Sequence, residues 1–174
     1  WARTFTSSVW CITTSLKVLG SSIYSIGIFN GTIDLDPSVG TSTFSTSGSG
    51  RDVFISKLNS QGDFIWGGEL NGTATYMNSG TGISLNNTGD IHVSGSFIGS
   101  VDFDPGTAVA NLNSVNNSSG SSFVVKLTPQ CTNSVSSIYP TTCDMYTAPD
   151  NQVYISTGIY SATIPNTSGC DSII

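Results

Sequence analysis

The chain has 174 residues, enough for one ordinary core or two small ones, and only 9% of them are charged; Ser, Thr, Asn and Gly carry most of the polarity. Its formal charge is −6, and Arg3, Lys17, Arg51, Lys57 and Lys126 are scattered, which excludes the clustered cations that a nucleic acid or an anionic membrane surface requires. No apolar run is long enough to cross a bilayer and no basic start leads into a signal peptide, as expected of a mature or internal section of something longer, while the hydroxyl- and amide-rich composition points to an extracellular or cell-surface protein without membrane insertion.

Nothing of helical length carries a 3.6-residue apolar period. Short β-branched and aromatic runs bounded by Gly, Asn, Asp, Ser and Pro predict an all-β chain with tight turns. The first marked stretch is Gly27-Ile-Phe-Asn-Gly-Thr-Ile-Asp-Leu-Asp-Pro37. The run Val53-Phe-Ile55 follows, apolar without alternation and therefore expected to be covered on both faces. Next come a turn at Asn59-Ser-Gln-Gly62, a strand over 63–66, another over 82–85, a turn at Asn86-Asn-Thr-Gly-Asp90 and a third strand over 91–97. Each turn holds a Gly able to take positive φ. A fourth strand spans 123–127, and its Phe123-Val-Val125 run is again expected to be covered on both faces.

Gly95-Ser-Phe-Ile-Gly-Ser-Val-Asp-Phe-Asp-Pro105 repeats the first stretch 68 positions on, and Lys57-Leu58 recurs as Lys126-Leu127. The chain therefore contains two copies of one unit of nearly 70 residues. Each copy carries paired aspartates, Asp34 with Asp36 and Asp102 with Asp104, two residues apart and hence on one face of an extended stretch, about 7 Å apart. Such a pair either bonds the amides of a Pro-led turn or holds Ca²⁺, which takes oxygen ligands. As a glycosidase pair it is out of place, because a site repeated in every unit is scaffolding. The lone histidine, His92, stands where the first copy has Tyr24, so it reads as the occupant of an aromatic slot and not as a general base. Cys11, Cys131, Cys143 and Cys170 allow three complete pairings, and no Cys-x-x-Cys pair suggests zinc.

The two copies resemble the bacterial β-propeller repeat of secreted surface proteins. The residues that carry the resemblance are Gly27, Phe29, Gly31, Asp34, Asp36, Pro37, Phe54, Lys57, Leu58, Gly62 and Trp66, then Gly95, Phe97, Gly99, Asp102, Asp104, Pro105, Gly106, Phe123, Lys126 and Leu127. Trp1-Ala-Arg3 is similar to Trp66-Gly-Gly68, as the tail of an earlier copy would be. This resemblance covers residues 1–130 and implies tandem four-stranded blades, about two of them in an incomplete ring. Further blades precede Trp1, or the open faces find partners. After Gln130 the pattern changes. Cys143-Asp-Met-Tyr-Thr-Ala-Pro-Asp150 and the stretch ending Gly-Cys170-Asp-Ser resemble the Cys-containing immunoglobulin-like repeats of large adhesins secreted through the type IX pathway. Residues 131–174 are accordingly expected to form a partial sandwich of that kind. The resemblance also implies a Cys143–Cys170 disulfide, which would stabilise so small a unit by about 3 kcal/mol.

The expected function is a non-catalytic section of a large secreted repeat protein, an adhesin or stalk, with protein or glycan ligands and neighbouring repeats as partners. No cofactor is implied beyond calcium at Asp34, Asp36, Asp102 and Asp104. Three rivals remain: a calcium-dependent carbohydrate-binding propeller, a self-assembling extracellular structural protein, and an accessory part of a secreted hydrolase.

Overall fold

A computed structural model describes residues 1–72, 78–87, 89–116, 119–128, 145–147, 152–155, 163–165 and 171–173, and every regular element among them is a β-strand. The chain divides into two compact units, Trp1–Thr128 and Pro129–Ile174.

In the first unit the strands are β1 (Thr6–Ser7), β2 (Trp10–Leu19), β3 (Ser22–Asn30), β4 (Thr32–Asp34), β5 (Thr43–Ser45), β6 (Asp52–Asn59), β7 (Phe64–Gly72), β8 (Ser79–Leu85), β9 (Ile91–Phe97), β10 (Ser100–Asp102), β11 (Asn111–Asn113) and β12 (Ser121–Leu127). β2, β3, β6 and β7 form an antiparallel meander, the first repeat sheet. β8, β9 and β12 form the second, in the order β12-β9-β8. Residues 129–140, where a fourth strand of the second sheet is expected, lie outside the described residues. In each repeat a hairpin leaves the second strand and returns to the third: β4 with β5, and β10 with β11. None of the sheets closes on itself.

The two copies share their turns, bulges and several hydrogen bonds. Gly31 and Gly99, at φ 81° and 80°, turn the chain into the hairpin, a conformation that costs glycine nothing. Their N–H groups donate to Thr46 Oγ1 at 3.1 Å and to Ser114 Oγ at 2.9 Å. Gly27 and Gly95 serve a different need: a Cβ on either would run into the ring of the cross-strand Phe54 or Phe123 and into a backbone carbonyl, Ile12 or Ser79. A bulge interrupts the first strand at Thr14 and again at Thr81, and both hydroxyls donate to the neighbouring strand, at Ile26 O and Ser94 O, each at 3.2 Å. The turns Asn59–Asp63 and Asn86–Asp90 are also alike. Each Asn side chain accepts from the Asp N–H at 2.8 Å, and Gly62 or Gly89 takes positive φ.

One strand joins the repeats. β7 pairs with β10 through Asn71↔Asp102 and Gly72↔Val101, and β1 pairs with β4 in the same way through Thr6↔Asp34 and Ser7↔Ile33. Trp1 to Ser7 thus stands to the first hairpin as Trp66 to Gly72 stands to the second, which accounts for the likeness of Trp1-Ala-Arg3 to Trp66-Gly-Gly68.

The core lies in two places. Phe29, Ile33, Leu35 and Phe54 are packed with Phe5, Phe44 and Phe64 beneath the first hairpin. A larger cluster joins the sheets: Ile26, Ile28, Val53, Ile55 and Leu70 of the first meet Ile83, Ile91, Val93, Phe97 and Phe123 of the second. Thr14 Oγ1 shares its single proton between Ile26 O and, across the same interface, the closer Gly80 O at 2.7 Å. At Gly80 an added Cβ would stand 2.6 Å from Ile26 Cδ1 and 2.8 Å from Val53 Cγ1, so the missing side chain is what lets the sheets close together.

Val53, Phe54 and Ile55 are buried on both faces of the sheet, as expected. The run 123–125 corrects the parallel expectation. Phe123 is buried against the first sheet, but Val124 is 79% exposed, because the outer face of the second sheet meets solvent.

In the second unit β13 (Tyr146–Thr147) pairs with β14 (Val153–Tyr154), and β15 (Thr163–Pro165) with β16 (Asp171–Ile173), both antiparallel. Cys131, Cys143 and Cys170, and with them the disulfide expectation, lie outside the described residues.

Candidate functional site

Pleating sends alternate side chains to opposite faces of each sheet. On the outer face of the second sheet the ladder sets Gly82 beside Ser94, Ser84 beside His92, and His92 beside Lys126. Gly82, Ile83, Ser84, His92 and Ser94 line a shallow depression of about 290 Å³. Gly82 keeps its floor open: a Cβ there would lie 2.9 Å from Ser94 Oγ. Lys126 Nζ stands 2.7 Å from Asp90 Oδ2, bringing a charge pair to the rim.

His92 takes the place of Tyr24 in the ladder without taking its environment. Tyr24 is buried between the sheets, with Lys57 Nζ 5.3 Å from its ring centroid. His92 is half-buried at the depression, and among the described residues no hydrogen bond joins it to Ser84 or to a carboxylate. A nucleophile needs a base within hydrogen-bond reach and a third group to orient that base. Ser84 and His92 are ladder neighbours without that bond among the described residues.

The paired aspartates occupy equivalent turns. Asp34 Oδ1 accepts from the N–H of Asp36 at 3.0 Å and of Ser42 at 2.8 Å; Asp102 Oδ1 accepts from Asp104 at 3.0 Å and Ala110 at 2.8 Å. Asp36 Oδ1 accepts from Ser38 at 2.9 Å, and Asp104 Oδ1 from Gly106 at 2.7 Å. Each first aspartate thereby ties the two ends of its loop, and each second one forms an Asx-turn. Among the described residues no three His, Cys, Asp or Glu side chains gather as a metal would need.

A third cluster was not anticipated. Asp52, buried at the start of β6, accepts at Oδ1 from Gly72 N and from Asn78 Nδ2, both at 2.9 Å, and so ties together the two ends of the connection from β7 to β8. Among the described residues Asn78 Oδ1 and Glu69 Oε2 are buried there without a hydrogen-bond partner. Burial raises the pKa of Asp52 against the two hydrogen bonds that lower it. Burial, with the Asp52 charge second, pushes Glu69 up to about 7. The sequence offered one signal, an acidic residue directly before a fully apolar run, in a place where the second copy has Ser121. Cys11 is a free thiol, its Sγ 3.8 Å from Phe5 O, and burial pushes its pKa up, which lowers its reactivity.

No family model, curated protein or solved structure matches the chain. No helix among the described residues is long and apolar enough to cross a membrane.

Proposed function

We propose that the chain is a non-catalytic section of a secreted or cell-surface repeat protein, in which propeller-type sheets form a rigid support for adhesion to protein or glycan ligands. An immunoglobulin-like adhesin repeat, clamped by Cys143 and Cys170, follows them. What supports this reading above all is that the hydrogen bonds of the glycines, aspartates and bulge threonines recur at equivalent positions in both copies, as scaffolding does. The ligand surface in this reading is the outer face of the second sheet, where Ser84, Ser96 and Ser122 are exposed, His92 is half-buried and Lys126 reaches solvent from its pair with Asp90.

The test is binding of the purified chain to arrays of surface glycans and extracellular proteins, alongside a panel of hydrolase substrates. Binding that weakens at least tenfold in Ser84→Arg and His92→Ala, with no turnover, is the expected result. Turnover abolished by His92→Ala would replace this reading with the hydrolase one.

A further inference from the structure

The two sheets carry different residues on the face that looks toward the next copy in the chain. In the first sheet this face holds Ile26, Ile28 and Val53, all buried against the second sheet. The second sheet has Ser94, Ser96 and Ser122 in those places, with Ile55 answered by the exposed Val124. No backbone reason requires the change, since both ladders run in the same register around Gly27 and Gly95. Removing three branched aliphatic side chains removes most of the apolar area on which a following sheet would close. Repeat arrays end in this way, with a terminal copy whose outer face is polar.

The opposite face of the first sheet is built differently. Leu16 and Val18 stand 55% and 61% exposed on β2, at the positions where the second sheet has Ile83 and Leu85. Ile83 is buried in the interface between the sheets and Leu85 packs against the same cluster. The residues by which the second sheet docks on the first are therefore matched on the first sheet by apolar residues that no sheet among the described residues covers. Thr13, however, stands where Gly80 allows Ile26 and Val53 to approach. A sheet identical to the first would collide with that threonine.

We infer that the stack is open and grows in one direction: the serine face of the second sheet is its end, and the Leu16–Val18 face receives one more repeat sheet, whose residues at the places of Ile26 and Val53 are smaller. Nothing here depends on which ligand the chain binds.

Two experiments on the full chain decide it. For the end of the stack, Ser94→Arg combined with Ser122→Arg is expected to leave solution mass unchanged and melting temperature within about 2 °C of the parent, because solvated positions tolerate such changes. A fall of several degrees, or loss of an assembly that the parent forms, means the face is occupied and overturns the inference. For the growing face, one extra copy of residues 1–65 is fused before the full chain, with and without Thr13→Gly in the chain that receives it. With Thr13→Gly, a single cooperative unfolding transition is expected, about 5 °C or more above that of the unfused Thr13→Gly chain, and Leu16→Asp in the receiving sheet is expected to remove the gain. Without Thr13→Gly the gain is expected to be absent. Separate melting of the added copy in both fusions, or an equal gain with Thr13 in place, overturns the docking surface.

Discussion

The first and second repeat sheets have the same backbone and opposite outer surfaces. Their glycines, bulges, Asx-turns and Asn-x-x-Gly-Asp turns coincide, while Ile26 and Ser94, equivalent in the ladder, lie in a buried apolar interface and at a shallow surface depression. The contrast separates two kinds of information in the chain. Residues that set φ, accept turn amides or clear space for a ring are kept between copies, because each satisfies a demand of the local backbone. Side chains on the faces answer to whatever lies across from them, and between the copies they change without disturbing the ladder.

The comparison breaks most visibly at its centre. Ile26→Ser is expected to cost about 4 kcal/mol, through lost burial and a hydroxyl placed in the interface, whereas Ser94→Ile should stay within about 0.5 kcal/mol. Denaturant unfolding of the two variants checks this, and equal costs would mean that the two faces are equally covered. Gly27→Ala and Gly95→Ala sharpen the shared side of the comparison. Each should cost about 3 kcal/mol, since the new methyl meets a phenylalanine ring and a carbonyl in both copies; a clear inequality in urea midpoints would show that the copies are not equivalent there.

Asp34→Ala and Asp102→Ala should each cost about 2 kcal/mol, because two N–H groups lose a charged acceptor. Melting with chelator and with excess calcium is expected to give the same midpoint, as Oδ1 of each of Asp34, Asp36, Asp102 and Asp104 already accepts backbone N–H groups. A calcium-dependent rise lost in Asp36→Asn and Asp104→Asn would instead establish the calcium site.

The smallest effect belongs to the first sheet alone. Glu69 is raised from 4.5 to about 7 in the folded chain. Below pH 4.5 both states hold the proton; as pH rises toward 7 the unfolded chain releases it while the folded chain keeps it, so stability falls across that window and levels off above it. Asp52, also raised by burial, acts with the same sign. Glu69→Gln should flatten part of the slope of melting temperature against pH, and a slope unchanged by the substitution would assign it to other carboxylates.

The all-β class, the repeat and the positive-φ turns were legible because each rests on residues close in sequence whose chemistry has one main structural use: Gly31 and Gly99, Gly62 and Gly89, the Asp-x-Asp-Pro turns. The exposure of Val124 was not. The run 123–125 resembles 53–55 when each is read by itself, and the difference emerges only when Ser94, Ser96 and Ser122 are set beside Ile26, Ile28 and Val53 on the neighbouring strands. The Asp52–Asn78 tie was hidden for another reason: it joins side chains 26 positions apart, and neither residue type announces the other. His92 was placed correctly as the counterpart of Tyr24 in the ladder, but its burial depended on the next layer of the stack.

The strand β7 belongs to the first sheet along most of its length and to the second hairpin at its tip. During synthesis the first sheet can be complete before β10 emerges from the ribosome, and it then offers both a free strand tip and an apolar wall. The second sheet carries its apolar wall only toward the first, since its other side is serine. Folding of this polypeptide is therefore expected to run from the amino end toward the carboxyl end, and a fragment starting at Ser79, with Ile83, Val93 and Phe123 bare, is expected to aggregate.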